Sequence, residues 1–196
     1  MRNLLFPLLF LPFLLSSQTE ADSLPYAEIA EYPDDYSAGN VLARMIDALG
    51  FRYYWATEGL RKTDLDYRPS EEARSCYETI EHIYGLSEMI VNAPRGDTMV
   101  RPEDWTDLSF ADLRTRTLQR FAEASRLYRG MNSGDLATQR VMFSYSEVYS
   151  EHPLWNLING PLADAIYHTG QLVTFRRATE NPANPKVNHF RGKLSD

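Results

Sequence analysis

Cysteine is almost absent from this chain: Cys76 is the only one among 196 residues. A single cysteine cannot form a disulfide within the chain, and zinc sites built from several cysteines are excluded. Cys76 falls in the first turn of a predicted helix, where the helix N-terminus can lower the pKa of a thiol. No base that could activate the thiol is identifiable beside it, so we interpret Cys76 as a small buried residue.

Basic residues are also few, with 20 Lys and Arg against 27 Asp and Glu, and the formal net charge is −7. Nucleic-acid-binding proteins usually carry a basic patch, so the charge balance argues against a nucleic-acid partner. Glycine-rich phosphate loops, serine nucleophile elbows and the HExxH motif are absent from the sequence. We therefore expect no nucleic-acid partner, and a homodimer is left open.

Long apolar runs are missing except at the N-terminus, where Arg2 precedes an apolar stretch from Leu4 to Leu15 and then small and polar residues. This order is typical of a secretory signal peptide. The run has about 12 residues, whereas a bilayer-spanning helix needs about 20. We predict that residues 1–21 are a signal peptide and that the protein is exported, periplasmic or secreted, with no stable membrane insertion after cleavage. The alternative is an apolar N-terminal helix that packs on the domain.

Apolar residues recur at helical spacing in four segments of the chain that follows an extended lead-in at 22–36. The predicted helices span about 37–60, 75–93, 109–129 and 153–178. The second begins with the capping pair Ser75 and Glu78, in which each side chain satisfies a free backbone N–H group of the first turn. The pair Ser109 and Asp112 marks the start of the third helix in the same way.

Strands are not convincingly predicted. The stretch from Gln139 to Tyr145 has strand character, but no partner strand is identifiable, so we expect 131–152 to form a long irregular connection. Four amphipathic helices without strands predict an all-α fold, a four-helix bundle over residues 37–180. Residues 181–196 are expected to form an extended C-terminal tail.

The most informative residues are Asp164 and His168, which lie four apart in the predicted fourth helix and so project from the same face. The rest of that face is largely apolar, and a buried polar group costs free energy unless it has a partner, such as a metal ion. His82, in the middle of the second helix, would meet the pair if the second and fourth helices are neighbours. Two imidazoles and one carboxylate form the ligand set of open-sided mononuclear metal sites.

Simpler interpretations of these residues are also open. A single buried histidine is more often a hydrogen-bonded core residue than a metal ligand. If Gly160 and Pro161 break the fourth helix, Asp164 would lie in its first turn and would interact with the helix dipole near solvent.

Three passages resemble the DinB/YfiT-like family of metal-dependent four-helix bundles. The likeness rests first on DYRPSEEARSCYETIEHIYGLS, which resembles the family's entry to helix two and places His82 at its ligand histidine. It rests next on ADAIYHTGQLVTFRR, which resembles the fourth-helix motif, with Asp164 and His168 at the ligand positions before the pair Gly170 and Gln171. The passage MIDALGFRYYWATEGL fits the first helix as a general pattern.

The resemblance covers about residues 37–180 and implies a bundle of up-down-down-up type that binds a divalent metal ion, either Zn, Fe, Mn or Ni. It implies a metal-dependent transferase or hydrolase acting on a small molecule. The alternative is a non-catalytic exported helical bundle that binds a metal or a small ligand and has a degenerate site, because the family commonly has histidine where this chain has Asp164. We further expect Gln171 and His152 to lie near the metal or to line its pocket.

Overall fold

The computed structural model describes residues 24–103, 105 and 107–196. The predicted signal peptide at 1–21 lies outside these residues and stays a prediction. Within the described part of the chain, no helix combines the length and apolar character needed to cross a membrane.

Helices dominate the described residues. In chain order they are α1 Ala38–Thr57, α2 Lys62–Leu65, α3 Cys76–Arg95, α4 Phe110–Tyr128, α5 Ser133–Thr138, α6 Trp155–Leu157 and α7 Ala163–Ala178. The four long helices are α1, α3, α4 and α7, and both α1 and α3 pack against α4 and against α7. They share one apolar core, to which they contribute Ile46, Ile80, Phe121 and Leu172, all without solvent exposure.

The capping pairs of α3 and α4 are formed as predicted. Ser75 Oγ accepts a hydrogen bond from the backbone N–H of Glu78, and the Glu78 carboxylate accepts one from the backbone N–H of Ser75. Ser109 and Asp112 make the same reciprocal pair at the start of α4. Helix α3 runs past Pro94, where we expected it to end, and terminates before Gly96, whose φ of 74° is typical of a helix C-terminus.

The predicted fourth helix is interrupted, so a continuous helix from residue 153 is wrong. Helix α6 leads into a π-helical turn, Ile158–Leu162, in which Gly160 has non-helical torsions of φ −100° and ψ −105°. Pro161 has no N–H group to continue the hydrogen-bond ladder. Helix α7 therefore begins at Ala163 and places Asp164 in its first turn, as the alternative interpretation expected.

Strands are present, which corrects the all-α expectation. They are β1 Thr98–Arg101, β2 Arg140–Tyr145, β3 Val148–Pro153, β4 Val187–Asn188 and β5 Lys193–Leu194. Strand β2 pairs in parallel with β1 and antiparallel with β3, so the expected irregular connection at 131–152 is instead α5 followed by a hairpin. Strand β1 supplies the partner that the sequence did not reveal. In the C-terminal segment, β4 and β5 form a short hairpin where an extended tail was expected.

A close approach of the lead-in segment to α1 explains the glycine in the middle of that helix. The Tyr26 ring lies against Gly50, and a Cβ at position 50 would fall 2.5 Å from ring atoms. The Tyr26 hydroxyl donates a hydrogen bond to Asp47 Oδ1 at 3.1 Å. The absence of a side chain at Gly50 therefore leaves room for the Tyr26 ring, through which the lead-in segment packs against α1.

Gly50→Ala is expected to destabilise the fold by about 1–3 kcal/mol, because the added methyl group would displace the buried Tyr26 ring. Gly170→Ala is the matched control, since Gly170 is helical and no heavy atom lies within 4 Å of its Cβ position. This control should be neutral or should stabilise the protein by up to ~1 kcal/mol through helix propensity. Chemical denaturation of both variants measures the difference, and equal effects would contradict the packing role of Gly50.

Candidate functional site

The structure brings His82, Asp164 and His168 together at the contact between α3 and α7. His82 Nε2 lies 3.0 Å from Asp164 Oδ2, and His168 Nε2 lies 3.3 Å from Asp164 Oδ1. The two imidazole rings meet edge to face, with centroids 4.6 Å apart. One candidate donor atom from each residue lies within 4.8 Å of the others, a spacing at which all three could hold one metal ion. That they bind a metal stays a prediction.

The three side chains lie between core and solvent. The side chain of His168 is 11% exposed, that of His82 is 29% exposed and that of Asp164 is 41% exposed. Burial lowers the pKa of His82 below its ordinary value of 6.5, although the hydrogen bond with Asp164 opposes this shift. His82 is therefore neutral at pH 7, which is the form of imidazole that binds metal ions.

Gln171 sets the orientation of His168. Its amide oxygen Oε1 lies 2.7 Å from His168 Nδ1, so Nδ1 carries the proton and donates it to the amide. The other ring nitrogen, Nε2, faces Asp164 Oδ1 at 3.3 Å, and in a ring that carries a proton on Nδ1 alone it is an acceptor. Two acceptors that face each other at 3.3 Å repel unless a proton or a cation lies with them. A metal ion held by both groups satisfies this requirement.

The chemistry of the donor set fits the metals that the sequence implied. Imidazole nitrogen suits Zn, Fe and Ni, and a carboxylate oxygen also suits Mn. Three protein ligands leave coordination positions for water or substrate, which is the arrangement of catalytic rather than closed structural zinc sites. The donor set therefore allows each of the four metals and does not select one.

A cavity of about 880 Å³ opens beside Asp164. It lies between α3, the sheet formed by β1, β2 and β3, the π-helical turn and the start of α7. His152 of β3 lies in its wall and stacks on Phe143 of β2, with ring centroids 5.4 Å apart. The cavity thus places a third imidazole, that of His152, in the same space as the carboxylate of the three-residue cluster.

The wall that the strands contribute to the cavity was not predicted from the sequence. Met99, Val141 and Phe143 line the cavity, but they belong to segments that we expected to be irregular. The β-branched or aromatic residues Val141, Phe143 and Tyr145 at every second position were the available signal. Cys76 is buried, and burial raises the pKa of its thiol to about 12, which agrees with a packing role and leaves no thiolate at neutral pH.

Comparison with known proteins identifies the family. Residues 46–172, which include all of the candidate site residues, match the family model described as DinB superfamily. This match spans more than half of the chain and confirms the resemblance found in the sequence. No curated protein and no solved structure matches the chain.

Removal of the Gln171 oxygen should weaken metal binding without removing a ligand. Gln171→Leu is expected to lower Zn²⁺ affinity about 10–100-fold, because His168 loses the acceptor that orients its ring. Gln171→Glu keeps an acceptor for Nδ1 and should bind within a few-fold of the wild type. Competition titration against a chromophoric chelator measures both affinities, and a Leu variant that binds as tightly as the wild type would refute this role.

Proposed function

Since the chain belongs to the DinB superfamily, we propose that it is a metal-dependent protein that acts on a small molecule, most simply as a transferase or hydrolase. His82, Asp164 and His168 would hold one divalent metal ion. The observation that carries the proposal is the convergence of three donor side chains from two helices beside a cavity large enough for a small-molecule substrate. A site with three protein ligands and an adjoining cavity is suited to catalysis.

We also propose that the four long helices form the family's four-helix bundle in the up-down-down-up arrangement. Their mutual contacts support this arrangement, because each long helix packs against two others around one core. The contact between α3 and α7 has a direct functional consequence, since it joins the helix of His82 to the helix of the other two donors.

When bound, a divalent ion would act as a Lewis acid and would lower the pKa of a coordinated water or thiol. The chain's own residues supply the remaining functions. Each imidazole faces one carboxylate oxygen of Asp164, so Asp164 would fix the orientation of both rings. His152 would act as a general acid or base through a ring nitrogen, because it lies in the cavity wall beside a bound substrate. Phe143 holds the His152 ring by stacking.

A non-catalytic protein with a degenerate site is the second candidate. It is favoured by Asp164, which replaces the family's usual histidine and is the most exposed of the three donors. Metal content and turnover separate this candidate from the first.

Metal analysis of purified, Zn²⁺-loaded and dialysed protein tests the site. We expect about one metal ion per chain in the wild type and its loss in both Asp164→Ala and His168→Ala, since two remaining donors hold zinc poorly. His189→Ala is the control. His189 lies in the C-terminal segment and packs against Phe51 of α1, so this variant should retain the metal. Equal trace metal in all four proteins would contradict the site.

The same preparations test catalysis in a screen with thiol acceptors and esters. Activity should be lost with the metal in Asp164→Ala. His152→Gln should keep the metal and lower turnover about 10²–10⁴-fold, the usual contribution of a positioned acid or base. Stoichiometric metal without turnover on any substrate would favour the non-catalytic candidate.

We also propose that the protein is exported. Arg2, the apolar stretch from Leu4 to Leu15 and the small residues after it support this proposal. N-terminal sequencing of protein recovered outside the cytoplasm should find a start after Gln18 or Ala21, and a retained Met1 would contradict cleavage.

A further inference from the structure

The cavity beside Asp164 has few charged residues in its walls, although the chain as a whole is acidic. Among the described residues that line it, Arg101 is the only Lys or Arg and Asp164 is the only Asp or Glu. Apart from His152, the other side chains are apolar, aromatic or uncharged polar groups. The charge state of the cavity therefore depends on how those two residues are paired.

The charge of Arg101 is compensated. Its Nη2 lies 2.7 Å from Glu88 Oε2, and its Nη1 lies 2.8 Å from Glu103 Oε2. The guanidinium also stacks over the Trp105 ring, with its carbon 4.7 Å from the ring centroid. The side chains of Arg101 and Glu88 are only 15% and 14% exposed, so water screens this pair weakly. Two carboxylates surround one guanidinium, which leaves no positive charge for an anionic ligand.

At the other end of the cavity, the Asp164 carboxylate also has partners, because both of its oxygens face imidazoles. Between these two ends the walls are apolar and adaptable. Met89 and Met99 contribute flexible thioethers that pack against many shapes, and Phe143 and Tyr167 contribute aromatic surfaces. The amides of Asn156 and Asn159 offer neutral hydrogen-bonding groups in the same wall.

We propose that this cavity takes a neutral, largely apolar small molecule with an aromatic or extended aliphatic body, and that it discriminates against ligands whose body carries an anionic group. An anion placed near Arg101 would lose its water without gaining an uncompensated cation. The inference rests on the proposed function, because it names the substrate class of the same site. A phosphorylated substrate or an acidic peptide-like thiol does not fit walls of this kind.

Two fluorescent probes that share an anilinonaphthalene body test the proposal. N-phenyl-1-naphthylamine is neutral, and 8-anilino-1-naphthalenesulfonate carries a sulfonate. In fluorescence titrations of chelator-treated protein, we expect the neutral probe to bind at least about tenfold more tightly, a difference of about 1.4 kcal/mol. Equal binding, or tighter binding of the sulfonate, would overturn the proposal.

Two variants locate the binding and test the role of charge. Phe143→Ala should weaken binding of the neutral probe about tenfold, whereas Phe190→Ala removes a phenyl group that is 99% exposed and should change nothing. Glu88→Gln removes one of the two carboxylates that compensate the Arg101 guanidinium. It should raise the affinity for the sulfonate probe and leave the affinity for the neutral probe unchanged. Circular dichroism confirms that each variant is folded. An unchanged neutral-probe affinity in Phe143→Ala, or an unchanged probe ratio in Glu88→Gln, would refute the assignment.

The outcome is separable from that of the metal test. The neutral probe should bind Asp164→Ala, which is expected to lack metal, because the apolar and aromatic residues of the cavity walls are unchanged in that variant. Probe selectivity without metal binding would leave this inference standing and the proposed function refuted. Metal binding with a preference for the sulfonate would give the reverse result.

Discussion

The packing of α3 against α7 is the constraint on which the candidate site depends. Two donors lie one helical turn apart on α7, but a third must come from another helix, and this contact brings His82 Nε2 within 3.0 Å of Asp164. Because α1 and α4 complete the shared core, the relative position of α3 and α7 is maintained by apolar burial far from the polar cluster. The apolar core shared by the four long helices thus stabilises a partly exposed arrangement that would otherwise cost free energy.

The three-stranded sheet forms a wall of the cavity that the helices alone do not supply. Helices α3 and α7 form one side of the cavity beside Asp164, and β1, β2 and β3 form another. The break at Gly160 and Pro161 contributes as well, since it turns the chain from the hairpin onto the start of α7. The strands and the π-helical turn therefore add walls to a cavity that shares Asp164 with the candidate metal site.

Local signals in the sequence predicted local structure well. Capping at Ser75 and Ser109 follows from neighbouring residues, and the four-residue spacing of Asp164 and His168 determines a shared face. The sheet could not be predicted in this way, because β2 pairs in parallel with a four-residue strand about 40 positions earlier that has no strong pattern of its own. The compensation of Arg101 by Glu88 depends on that same long-range pairing, so the neutral character of the cavity is visible only in the folded chain.

X-ray absorption spectroscopy of the zinc-loaded protein tests the central claim most directly, because it counts the imidazoles bound to the metal. The wild type should show two imidazole ligands with oxygen donors completing the shell, and His82→Ala should lose the bound zinc, since only Asp164 and His168 remain to hold it. A shell with fewer than two imidazoles in the wild type, or one left unchanged by His82→Ala, would contradict a metal site shared between α3 and α7.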